Sequence, residues 1–215
     1  MYAKSETHKN LALFDFDGTL CTKDSFTGFI FYALSKRHIV KQGIKLLPWI
    51  QAYYLKIYPP DAMRIKLFKA MFSYMSSTEI LDLALEYSHQ LRKSLSPDLY
   101  QQLIKHQNNN DDVVIVSASI NIYLNDIAQL LDVDLICTEA EIQDDKFTGL
   151  FATPDCSSEQ KKIRILEKYD LDHYNLVYAY GNSKEDLAMF SLADHTYMVG
   201  EQYPLPQIEV QKKLA

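Results

Sequence analysis

The apolar positions along the chain fall into three regimes. Residues 11–16, LALFDF, form a short apolar run broken by aspartate, with the length and aromatic content of a buried strand. From residue 22 to about 95 the spacing is helical and no strong strand pattern occurs. Within that stretch, 25–36 reads as an aromatic-rich helix and 39–58 as a second, with Pro48 as a potential kink. Pro59-Pro60 interrupts the pattern, and Asp61 is the expected cap of a helix through residue 75. Ser76 with Glu79 forms a capping box that opens a helix to about residue 93. Ser96-Pro97 opens another, with proline in the favoured first turn.

After Asn110 the pattern changes to strands alternating with helices. The β-branched run 113–116 precedes a helix near 123–131, and 134–138 is a further strand. Residues 141–151 fit a hairpin, 157–169 a helix with Ser157 and Gln160 as its capping box, 176–180 a strand, 184–192 a helix and 196–199 a last strand. This alternation predicts an α/β fold with a Rossmann-like parallel sheet and an all-helical cap inserted after the first strand. The expected division is a core of residues 1–21 and 96–215 and a cap of residues 22–95. Function is expected where the strand ends meet the cap.

Bulk properties narrow the class. With 47% apolar and 23% charged residues in 215, the chain has the composition of a soluble globular protein. A net charge of −6 argues against nucleic acid as a partner. Cys21, Cys137 and Cys156 are widely spaced, without paired metal-ligand spacing, and fit a reducing, cytoplasmic setting. The first ten residues are polar, unlike a signal peptide, and no apolar run reaches the roughly 18 residues of a membrane span.

The candidate chemistry starts at Asp15 and Asp17, which strand alternation would place on one side. Two close carboxylates raise each other's pKa and call for a cation or a shared proton. A calcium loop is excluded, because the positions needing Gly and Glu hold Leu20 and Phe26. An ordinary strand-to-turn exit remains open for this stretch alone. Ser117, after the strand 113–116, and the backbone N–H groups that follow it suit phosphate oxygens. Lys161 opposes the dipole in the first turn of its helix, so it either turns to water or meets an anion. Asn182 and Asp186 follow a strand and offer oxygen ligands of the kind Mg²⁺ prefers.

Taken together, Asp15-Phe16-Asp17-Gly18-Thr19, Ser117, Lys161 and the loop 181–186 resemble the four motifs of the haloacid dehalogenase-like superfamily. The helical insertion resembles its subfamily I, and more closely the phosphoserine-phosphatase-like branch, as do Phe147-Thr148-Gly149 and the stretch from Cys156 to Lys161. The resemblance implies a Mg²⁺-dependent phosphatase. Asp15 would be the nucleophile that becomes an aspartyl-phosphate, and Asp17 the general acid and base. Phe16, Gly18, Thr19, Ser117, Ala118 and Lys161 would surround the phosphoryl group. Mg²⁺ would take Asp15, the backbone carbonyl of Asp17, Asn182 and Asp186. One departure stands out: the family usually carries aspartate where this chain has Asn182, which implies weaker Mg²⁺ binding.

The substrate expected from the resemblance is a small phosphorylated metabolite such as phosphoserine, although GNS at 181–183 departs from the GDG of phosphoserine phosphatases. A lipid phosphate of the phosphatidylglycerophosphate type is the alternative, and a non-catalytic phosphate-ligand binder on the same fold is a third reading. Residues 44–58, IKLLPWIQAYYLKIY, are unusually apolar and aromatic. Packing inside the cap is the preferred account of them, with peripheral membrane contact as the alternative.

Overall fold

The computed structural model describes residues 9–208. Five parallel strands form the sheet in the order β3-β2-β1-β6-β7: β1 (Leu11–Phe14), β2 (Asp112–Ile120), β3 (Asp134–Thr138), β6 (Val177–Gly181) and β7 (His195–Met198). β4 (Ala140–Gln143) and β5 (Lys146–Phe151) make a separate antiparallel hairpin. Strand order reverses across β1, so the crevice of this sheet lies beyond the C-terminal ends of β1, β2 and β6.

Alternation along β1 explains why it sits at the centre. Leu11 and Leu13 face one apolar cluster with Val114, Val116 and Ala179, while Ala12 and Phe14 face the other with Ile115 and Tyr180. With both faces covered, all four residues of β1 are buried, as a near-continuous apolar run requires. β1 is shorter than its apolar run: pairing ends at Phe14, and Asp15 adds one bond from its N–H to the Tyr180 carbonyl (2.8 Å). Asp15 and Asp17 therefore converge through the turn that follows β1 rather than through strand alternation.

Four helices fill the insertion: α1 (Ser25–Ala33), α2 (Lys36–Tyr54), α3 (Pro60–Phe72) and α4 (Ser77–Leu91). Asp24, Ser35 and Ser76 cap α1, α2 and α4 by accepting N–H groups of their first turns. α3 differs from expectation. Pro59 is its N-cap and Asp61 lies in its first turn, because Pro60 supplies a helical φ and lacks the donor that a cap would satisfy. The chain leaves and re-enters the sheet side by side: Ser96 N–H donates to Leu20 O (2.8 Å) and Thr22 N–H to Ser94 O (3.0 Å). Beyond this neck the insertion is tied to the hairpin by Tyr74 N–H to Phe147 O (2.7 Å), Phe147 N–H to Met75 O (3.0 Å) and Ser77 N–H to Asp145 O (2.8 Å). Phe68 stacks on Phe151 at 4.9 Å beside these bonds.

The core helices are α5 (Pro97–Asn108), α6 (Asn121–Leu131), α7 (Glu159–Lys168) and α8 (Leu187–Phe190). Two starts depart from the sequence reading. The Ser157 and Gln160 capping box does not form; Ser158 is the N-cap of α7 at φ +48°, with its N–H given to the Glu185 carbonyl (3.0 Å). A tertiary bond has displaced the local one. Residues 184–192 are a 3₁₀ turn, Lys184–Asp186, followed by the short α8, because the Asp186 carboxylate folds back on its own loop.

Residues 44–58 pack against the cap along one side only: Leu46 is buried and Ile50 lies against the same core, while Ile44, Leu47, Tyr54, Leu55 and Ile57 are exposed. Among the described residues of α2, Leu46 is the one that is fully buried, and the helix stops at Tyr54 before Lys56 turns to φ +59°. No helix among the described residues is long and apolar enough to cross a membrane.

Candidate active site

The strand ends bring Asp15, Ser117, Lys161 and Asp186 to one place, all buried. Lys161 comes from the first turn of α7, and its ammonium donates at 2.6 Å to Asp15 Oδ1 and at 2.6 Å to Asp186 Oδ1. The anion that its position near a helix N-terminus requires is thus a pair of carboxylates. Asp186 is held in turn: its Oδ2 accepts the N–H groups of Asn182 and Ser183, each at 3.0 Å. A Cβ at Gly181 would come within 2.7 Å of this carboxylate, so a glycine there lets the loop close on Asp186. Both Asp186 oxygens are therefore engaged, and the residue anchors the loop.

The first motif is a tight turn built on its own bonds. Gly18 adopts φ +76°, its N–H donates to Cys21 O (2.7 Å), and Thr19 N–H donates to Phe16 O (3.2 Å). The Thr19 hydroxyl donates to Asp15 Oδ2 at 2.9 Å, and the Phe16 ring is buried. Gly18 and Thr19 thus shape the turn and orient Asp15. Ser117 lies within β2, three residues before its end rather than after the strand, and its Oγ accepts Ser119 N–H (3.1 Å). The β2–β3 register shifts between Ser117 and Ile120, which takes Ala118 and Ser119 out of regular pairing at the mouth of the site.

Asp17 is gripped by residues that its motif does not contain. Ser25 N–H donates to its Oδ1 at 2.6 Å, and the Ser119 hydroxyl makes a short bond to its Oδ2. Ser25 Oγ meets Tyr123 OH at 2.9 Å, and Tyr87 OH donates to the Ser25 carbonyl at 2.9 Å. α1, α4 and α6 therefore share the task of fixing one carboxylate. Desolvation raises the Asp17 pKa, against the lowering effect of the Ser119 and Ser25 bonds. Asp15 is pushed up to about 6, chiefly by burial and then by the Asp186 charge, with Lys161 opposing. Asp15 and Asp186 share one ammonium, and the Asp17 charge acts on Asp15 from nearby, so full ionisation of the three carboxylates would leave two negative charges uncompensated.

A surplus of that sign would be offset by a divalent cation. The Asn182 side chain lies against the Asp17-Gly18 turn, where a Cβ at Gly18 would stand 2.0 Å from its Nδ2. Among the described residues no cluster of three or more His, Cys, Asp or Glu side chains could hold a metal by itself. Asp15 joined by a main-chain carbonyl and the Asn182 amide oxygen would make an all-oxygen donor set with few charged ligands, of the kind that suits Mg²⁺ with retained waters.

A second ionic contact was not visible in the sequence. Arg64 of α3 forks onto Asp155 at 2.7 and 2.8 Å, and its Nη1 reaches Glu185 at 3.3 Å. The planar bidentate pairing suits arginine specifically. It joins the insertion to the loop before α7 and to the residue beside Asp186. An arginine on the polar side of a predicted helix carries no signal for partners 91 and 121 positions away.

Known proteins agree with this architecture. A family model for haloacid dehalogenase-like hydrolases matches residues 12–191, and the chain belongs to that family. Its fold is similar to that of a substrate-bound phosphoserine phosphatase, which superimposes with a TM-score of 0.64 at 17% identity, over 87% of this chain and 84% of that one. Protein CicA of Caulobacter vibrioides is 27% identical, over 86% of this chain and 83% of CicA. A histidinol-phosphatase of Neisseria meningitidis serogroup C is 25% identical, over 95% and 94% of the two chains.

Proposed function

We propose that this hydrolase cleaves a small phosphomonoester through a phosphorylated Asp15. The observation that carries the reading is Lys161, buried between Asp15 and Asp186 at 2.6 Å from each. A buried ammonium beside an oriented carboxylate is suited to a trianionic, crowded phosphoryl transfer, where positioning and charge stabilisation dominate.

In the first step an Asp15 carboxylate oxygen attacks phosphorus and the ester P–O bond breaks. Asp17, whose pKa burial raises, gives a proton to the departing oxygen. In the second step the Asp17 carboxylate takes a proton from water as the water oxygen attacks the same phosphorus. The bond to Asp15 then breaks and inorganic phosphate leaves. Thr19 and Lys161 hold the Asp15 oxygens in place, while Ser117 Oγ, the Ala118 N–H and Lys161 face the phosphoryl oxygens. Asp15, the Asp17 carbonyl and Asn182 would hold Mg²⁺, with Asp186 bracing the loop that carries Asn182. The ion supplies positive charge that offsets both the carboxylates and the phosphoryl group.

The substrate class rests on the relatives, one named a histidinol-phosphatase and one a phosphoserine phosphatase. Both names point to a small phosphorylated metabolite. Wild type and Asp15→Asn are compared on an aryl phosphate with Mg²⁺, then on phosphoserine and histidinol phosphate. The expected loss in Asp15→Asn is on the order of 10³-fold or more, since a covalent route is removed. Equal rates in the two proteins would overturn the mechanism.

A further inference from the structure

The outer face of α2 is an apolar surface that the fold leaves uncovered. Val40, Ile44, Leu47, Gln51 and Tyr54 recur at spacings of four and three residues, which puts them on one face of the helix. Ile44 is 69% exposed and Tyr54 77%, and Leu47 is half exposed. The turn beyond α2 extends the surface through Leu55 and Ile57, the latter 76% exposed. The opposite side of the helix meets α3, where Lys66 Nζ sits 4.4 Å from the Trp49 ring centre.

Charge accompanies this face. Residues 25–60 contain five lysines and arginines and no acid, although the whole chain carries −6, so all other residues together carry −11. Arg37, Lys41 and Lys45 run along one flank of the apolar stripe at four-residue spacing, with Lys36 at the start of the helix and Lys56 just past its end. All five are exposed. An exposed apolar stripe bordered by cations is the pattern of a helix lying in a membrane interface.

We propose that α2 docks this protein on an anionic lipid surface, with Ile44, Leu47 and Tyr54 entering the interface and Arg37, Lys41 and Lys45 meeting lipid phosphates. The charge separates this from the other occupant that an apolar face invites, a second copy of the chain. A two-fold interface would bring the same cationic flank against itself. An anionic bilayer meets it with opposite charge. The docking is independent of the reaction proposed above, because α2 contributes no residue to the site.

The test is co-sedimentation of the whole chain with phosphatidylcholine vesicles, with and without phosphatidylglycerol. Binding is expected to be at least about tenfold stronger with the anionic lipid, and to weaken as salt rises. The triple variant Ile44→Ser, Leu47→Ser, Tyr54→Ser is expected to lose about tenfold or more of this binding. It keeps its hydrolysis of a soluble aryl phosphate. Arg37→Gln with Lys41→Gln and Lys45→Gln should remove the preference for anionic lipid, and Asp15→Asn should bind vesicles as wild type does. Equal sedimentation with both vesicle types would overturn the proposal, as would undiminished binding by the triple variant. So would a wild-type dimer that the triple variant turns into a monomer.

Discussion

The strand ends and the outer face of α2 invert the usual partition of residues in opposite ways. At the strand ends charged groups are buried: Lys161, Asp15 and Asp186 each expose less than a tenth of their surface. On α2 large apolar groups are exposed, from Val40 to Tyr54. Buried charge and exposed apolar surface are the two informative exceptions in a folded protein. They differ in how the fold accommodates them. Each buried charge is matched by partners contributed by distant elements, whereas the apolar stripe has been given cations beside it and no covering element among the described residues. The first arrangement can be built only by the whole fold. The second is carried by a single helix.

Removing Lys161 should break the first arrangement most severely. Lys161→Met leaves Asp15 and Asp186 buried without their counter-charge, and chemical denaturation should show a loss of about 3–5 kcal/mol. Turnover should fall with it, while Lys161→Arg regains part of the stability.

The pH response follows from Asp15. In the metal-free protein its carboxyl holds a proton up to about pH 6, against 3.8 for the ordinary group. The folded protein therefore keeps this proton between pH ~4 and ~6 after the unfolded chain has lost it, so rising pH costs stability across that window. The cost is complete above about pH 6 and amounts to about 3 kcal/mol at most. Urea midpoints of wild type and Asp15→Asn, measured without metal, should diverge in favour of the variant between about pH 4 and 6 and then run parallel. Curves that stay parallel through that window would contradict it.

Smaller effects sharpen the contrast. Asn182→Asp adds a charged oxygen ligand, so half-saturation by Mg²⁺ should drop by roughly an order of magnitude in an activity titration. Identical half-saturation in the two proteins would mean that this loop does not touch the ion. The smallest change should come from the other region: Ile44→Ala should move stability by no more than about 0.5 kcal/mol, because the side chain already stands in water. The same truncation at Leu13, fully buried in β1, should cost about 2–5 kcal/mol.

Much of the candidate site was legible because each part departs from what its local element needs. The two aspartates before Gly18, the serine after the β-branched run and a lysine near a helix N-terminus are local anomalies. Their shared order along the chain marked them as candidates. Ser25, Ser119 and Arg64 escaped because their importance lies in partners far away in sequence: Ser25 N–H finds Asp17, and Arg64 finds Asp155. The start of α7 was misplaced for the same reason, since the Ser158 N–H answers to Glu185 rather than to its own helix. For α2, periodicity defined a stripe without saying what would lie opposite it. The fold supplies a partner for the Leu46 side of the helix and none among the described residues for the outer face.

The position of Trp49 beneath Lys66 has a practical consequence. It is the chain's single tryptophan, and it belongs to the insertion. Its emission therefore speaks for the helices above the sheet, whereas far-ultraviolet dichroism averages over every helix and strand. Two optical traces recorded on one sample can thus tell a lid that melts alone from a molecule that melts as one.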